Sequence, residues 1–208
     1  MIPMQKKLPD PRPNRTGAMA HYFSLPVLAE VIKEVETGSM HSFDNSARAL
    51  ANAVLNHYFP ATEGWIVAPG PRNSTAPDLL VLRTKQPSQT HRFMIDHTVA
   101  GVSKKMTDFD IALNQLEGAL EVSTIEYGRC WAVLFHGADV LFYKYQQYLP
   151  KGQRMVPAGP PSQPKKHIFQ VGSDGVQIHQ MLTWMSRHDI PSPTTQFAKR
   201  VVCNGGGK

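Results

Sequence analysis

The spacing of apolar residues along this chain changes several times, and each change marks a different element. In HYFSLPVLAEVIKEVETG, residues 21–38, Leu28, Val31, Ile32 and Val35 recur at helical spacing and Gly38 supplies a stop. SFDNSARALANAVLNHYFP carries a stronger helical pattern. Asp44 or Asn45 serves as N-cap, Ala47, Leu50, Ala51, Val54, Leu55 and Tyr58 form one face, and Pro60 ends it. Trp65-Ile66-Val67-Ala68, closed by Pro-Gly, reads as a short buried strand. Two further strands are expected at 78–83 and 91–99 around the polar loop KQPSQT, with Gly101 breaking the pattern. Helical spacing resumes in MTDFDIALNQLEGALEVSTIE through Phe109, Ala112, Leu113, Leu116, Ala119, Leu120 and Ile125, and Asp108 suits the positive end of that helix. CWAVLFHGADVLFYKYQQY then predicts strands 130–135 and 139–145, joined by His136-Gly137-Ala138-Asp139.

Around this block the pattern loosens. Residues 1–18 are rich in Pro, Lys and Arg without periodicity and are expected to be a flexible basic arm. The stretch 149–166, LPKGQRMVPAGPPSQPKK, predicts a long exposed loop. Within 167–190 the segment HIFQV and a helix near 174–187 are expected to pack on the core, and 191–208 to be a flexible tail. The order helix, three strands, helix, two strands predicts an α/β core over 19–148. It is a mixed central sheet flanked by helices, αβββαβ, with extra terminal helices.

Composition narrows the partners more than the fold. Of 208 residues, 41% are hydrophobic and 18% charged, which fits one globular domain, while 17 prolines account for the irregular segments. A net charge of +6 and a pI near 9.4 favour a polyanion such as nucleic acid, DNA or RNA, or an anionic surface, through long-range attraction. Cys130 and Cys203 are the only cysteines and form no CxxC pair, so neither a disulfide framework nor a zinc knuckle is expected. With no apolar leader and no membrane-length apolar run, the expectation is a soluble intracellular protein, cytoplasmic or nuclear, with no membrane partner.

The stretch PDLLVLRTKQPSQTHRFMIDHT, residues 77–98, places one carboxylate in each of two apolar strands. Alternation puts Asp78 on a face with Leu80 and Leu82. It puts Asp96 and Thr98 on a face with Met94, opposite Phe93, Ile95 and His97. Antiparallel pairing across the 84–90 loop would bring Asp78 near Asp96. Two such acids need a counter-charge, a shared proton or a metal. Oxygen ligands suit Mg²⁺ or Mn²⁺, which would lower the pKa of a bound water and stabilise a phosphoryl group under attack. The alternative is that each aspartate only caps a turn.

This order of elements, with Pro77-Asp78 opening the second strand and Asp96 near the end of the third, resembles the PD-(D/E)xK nuclease-like superfamily. The resemblance to this restriction-endonuclease-like fold covers about residues 43–145. It implies Asp78 and Asp96 as the two metal-holding acids, His97 lending its main-chain carbonyl, and Gln115 as the glutamine of the following helix. Where that motif has a lysine this chain has Thr98, a neutral hydroxyl that supplies no positive charge, so Lys104 or Lys105 would have to reach in. The first helix lacks the family's glutamate, offering Asn52 and Asn56, and Glu63 is the nearby substitute. Arg72, Arg83, Lys85 and Arg92 would join the two lysines in contacting phosphates. Three functions follow. One is a divalent-metal-dependent nuclease cleaving phosphodiester bonds in DNA or RNA. Another is a catalytically inactive nuclease-fold protein that binds nucleic acid or a protein partner. The last is an interaction protein that keeps the fold as scaffold.

Overall fold

The computed structural model describes residues 22–37, 43–70, 77–85, 93–103 and 108–193. After a 3₁₀ turn at Tyr22–Ser24 come helices α1 (Pro26–Thr37) and α2 (Phe43–Tyr58). The apolar stripe expected on α2 is buried from Ala47 to Tyr58, and Leu28, Ile32 and Val35 of α1 are buried too. A second 3₁₀ turn, Ala61–Glu63, ends at Gly64, whose φ of 87° is a left-handed conformation that glycine adopts without a Cβ clash. The strands are β1 (Trp65–Pro69), β2 (Leu79–Lys85) and β3 (Phe93–Ser103), then β4 (Arg129–His136) and β5 (Asp139–Gln146), then β6 (Met155–Pro157) and β7 (Ile168–Gln170). Helix α3 (Phe109–Glu121) lies between β3 and β4, and α4 (Gly175–Arg187) follows β7.

The strands form one mixed sheet in the order β1-β2-β3-β4-β5-β6, with β7 also paired to β5. Among the described strands only β3 and β4 run parallel, so α3 is the crossover that such a pair requires. Helices α1, α2 and α4 cover one face over Trp131, Phe135, Phe142 and Phe169. Helix α3 covers the other, over Leu134, Leu141, Tyr143 and Tyr145. The architecture is the α/β arrangement the pattern predicts, a mixed sheet between helices.

Three local expectations change. Gly101 does not end a strand: β3 runs on to Ser103, and a Cβ there would meet only side-chain atoms of Leu134 and Leu116. Helix α3 stops at Glu121, leaving Ile125 outside it. The Pro/Gly-rich 149–166 stretch contains β6, because the outer edge of β5 has backbone groups to satisfy. The Ala158 N–H donates to the Phe142 carbonyl, and the Phe142 N–H donates to the His167 carbonyl.

A fourth change concerns the faces of β3. Val81 pairs with Thr98 but Leu82 pairs with Asp96, so His97 is an extra residue in a β-bulge. The bulge breaks the alternation on which the sharing of a face by Asp96 and Thr98 rested. His97 and Thr98 are both buried and bonded to each other, Nδ1 to Oγ1 at 2.8 Å. The His97 ring packs against Phe59 and Trp65 on the α2 side, whereas Asp96 bonds to the segment after α3.

Candidate functional site

The start of β2, the end of β3 and the middle of α3 enclose a cleft of about 250 Å³. Each wall has a local cause. Pro77 and Asp78 enter β2, and the Asp78 N–H donates to the Ala100 carbonyl, which aligns the first acid with the far end of β3. Asp108 caps α3 by accepting from the Asp110 N–H, and the helix then sets Gln115, Leu116 and Ala119 along the cleft. Gly101 and Ser103 form the floor with Leu134, and Arg48 reaches in from α2.

Each oxygen of the Asp78 carboxylate has a partner. Oδ2 accepts from the Val102 N–H at 2.7 Å, and Oδ1 pairs with Arg48 Nη2 at 2.8 Å. The Arg48 side chain is 65% exposed and that of Asp78 21%, so the pair sits at the cleft mouth. Beside it, Ser103 Oγ and His136 Nδ1 are 2.7 Å apart across the parallel β3–β4 pair, and Phe109 packs edge-on against the imidazole.

The two predicted acids do not meet. Asp78 lies against residues 100–102, four to six residues along β3 from Asp96, roughly 13–20 Å at the rise of an extended strand. Asp96 closes a different loop: its N–H donates to the Thr124 carbonyl at 2.9 Å, and its Oδ2 accepts from the Thr124 N–H at 2.8 Å. Burial raises its pKa, opposed by the bonds from Thr124 and Ser123. The expected approach of Asp78 to Asp96 treated the strand pair as a tight hairpin. In the observed register the hairpin is long and Asp96 sits nearer its closed end.

The other predicted residues divide similarly. Gln115 does share the cleft with Asp78. Glu63 is exposed just before β1, at the Asp96 end of the sheet, since Trp65 pairs with Arg83 and Arg83 with Ile95. The His97 carbonyl faces the Cys130 thiol at 3.4 Å inside the sheet. Arg83 pairs with Asp189 and lies 5.1 Å over the Trp65 ring. Lys85 ends β2, opposite Phe93. Arg72, Arg92, Lys104 and Lys105 lie outside the described residues.

These donors do not fit Mg²⁺ or Mn²⁺. Such ions are held through one or two carboxylates with open coordination positions, and the one acid among the described cleft residues is already paired with a guanidinium and a backbone N–H. Among the described residues no group of three or more His, Cys, Asp or Glu could hold a metal ion. Sequence reasoning missed Arg48, Ser103 and His136. Arg48 carried little, because it lies in the second turn of α2, beyond the reach of the charge at the helix end. Ser103 and His136 carried none, since their pairing depends on the β3–β4 register.

No protein-family model, no curated protein and no solved structure matches this chain. Among the described residues no helix is long and apolar enough to cross a membrane.

Proposed function

We propose that this chain is a restriction-endonuclease-like domain that binds nucleic acid without metal-dependent hydrolysis. The observation that carries the reading is the Arg48–Asp78 pair. At the place where the resemblance requires a metal-holding acid, the carboxylate already has a cation, and its second oxygen serves the Val102 N–H. The order of elements and the Pro77-Asp78 entry to β2 support the fold part of the reading. Nucleic acid is favoured over a protein partner by the charge of +6. It is favoured too by the sequence on either side of the cleft: Arg72 shortly precedes Pro77, and Lys104 and Lys105 follow Ser103 directly.

The test combines binding and cleavage. Fluorescence anisotropy with labelled DNA and RNA should give affinities that fall steeply as salt rises. Plasmid and RNA incubated with Mg²⁺ or Mn²⁺ should be left intact equally by the wild type and by Asp78→Ala. Cleavage by the wild type that disappears in Asp78→Ala would restore the nuclease reading. Absence of salt-dependent binding would turn the search to a protein partner.

A further inference from the structure

We infer that the cleft receives one unpaired base of a single-stranded nucleic acid, an inference that rests on the nucleic-acid reading above. At about 250 Å³ the cleft is smaller than the ~300–1,000 Å³ of sites for drug-sized ligands, and it suits one flat ring system. Its lining is mixed. Pro77, Leu116 and Leu134, themselves buried, back the cleft with a small apolar surface, and Arg48, Ser103 and Gln115 supply hydrogen-bonding groups for the edge of a ring. Guanidinium and amide side chains are the forks that most often read base edges.

Charge argues for a base over the other parts of a nucleotide. Arg48 and Asp78 neutralise each other 2.8 Å apart, so a phosphate entering the cleft meets a carboxylate and a cation meets a guanidinium. An uncharged heterocycle meets neither penalty. The ion pair also presents donors and acceptors together, which is what a base edge requires.

Gly101 keeps the space open. A Cβ built there would lie 3.4 Å from Leu134 Cδ1 and 3.7 Å from Leu116 Cδ1, ordinary contact distances, so a larger side chain at 101 would extend among the residues that line the cleft. A duplex can offer a base only by flipping it out, at a cost of about a few kcal/mol. The cleft therefore confers a preference for single strands, on top of the sequence-independent attraction of a chain with net charge +6.

The experiment compares one fluorescent oligonucleotide as single strand, as duplex and as an abasic strand of the same length, at equal salt. The single strand should bind about tenfold more tightly than the other two, a difference of about 1.4 kcal/mol. Gly101→Leu should bring all three to the same affinity. Gln115→Leu, an exposed position that leaves the sheet untouched, should shrink the preference even if Gly101→Leu fails to fold. Salt-dependent binding with no preference among the three, or a preference that both variants keep, overturns the base site and leaves the nucleic-acid reading standing. No binding of any of the three sinks both.

Discussion

Arg48 Nη2 lies 2.8 Å from Asp78 Oδ1 and ties the first half of α2 to the entry of β2. The two partners should not be equivalent in their effect on stability. Arg48→Ala removes an exposed pair, for which a loss below about 1 kcal/mol is expected. Asp78→Ala also strips the Val102 N–H of its acceptor, and should cost about 1–3 kcal/mol. Asp78→Asn keeps an acceptor for that N–H and should resemble Arg48→Ala. Urea denaturation of the three variants checks the ranking, and a larger loss for Arg48→Ala than for Asp78→Ala would contradict it.

A pH dependence follows from His97. Burial holds its imidazole neutral, with the pKa pushed down to about 4 from 6.5, against the bonds to the backbone of His188 and Met185; the nearby Arg83 charge adds to the depression. A histidine whose folded pKa is depressed gives stability that is fully present above 6.5. That stability is lost as pH falls toward about 4, because the unfolded chain takes up the proton first. The full loss is on the order of 3 kcal/mol. His97→Gln can still donate to the His188 carbonyl and should flatten the decline between pH 7 and pH 4.5. Unfolding curves for both proteins across that range would show parallel slopes if His97 were not the cause.

Much of the fold was legible because burial is periodic. The apolar face of α2, the β4–β5 hairpin and the α3 crossover each follow from spacing that only one kind of element satisfies. The turn at Gly137, with φ 63°, lies within the predicted His136–Asp139 connection. The site was harder to read, because it depends on register. Residue alternation in β3 holds until His97 is inserted as a bulge, and nothing in FMIDHT announces an unpaired residue. Gln115, named from the resemblance, lines the cleft with Asp78 because α3 begins where its pattern predicts. Arg48 was missed because its partner lies 30 residues away, on a strand whose neighbour is set by tertiary pairing.

Asp96 acts as a loop clasp. Its N–H and carboxylate hold both backbone polar groups of Thr124, and its raised pKa says that ionisation in this setting is penalised by burial. Asp96→Asn preserves an acceptor and removes the charge, so stability at pH 7 should stay within about 1 kcal/mol of the wild type. Asp96→Ala leaves the exposed Thr124 N–H to water and should lose more, about 0.5–1.5 kcal/mol, the net worth of one hydrogen bond. Thermal unfolding separates the two cases. Equal, large losses for both variants would mean that the charge itself is required.

The segment after α4 is bound by side chains from four strands. Arg83 of β2 pairs with Asp189, and His97 of β3 and Trp131 of β4 both point a ring nitrogen at the His188 carbonyl, at 3.3 and 2.8 Å. Arg129 donates to the Pro191 carbonyl, and Lys144 of β5 to Ser192 Oγ. The two ring donors are buried, so removing their acceptor leaves polar groups without a partner in the core, at about 1–3 kcal/mol each. A chain ended after Arg187 should therefore be less stable by roughly 2–6 kcal/mol. Lys144→Ala, which removes only an exposed contact, should stay within about 0.5 kcal/mol. Hydrogen exchange gives an independent reading: in the shortened chain the amides of α4 should exchange faster than those of α3. Uniform acceleration across both helices would mean that the segment stabilises the whole domain instead of clamping α4 to the sheet.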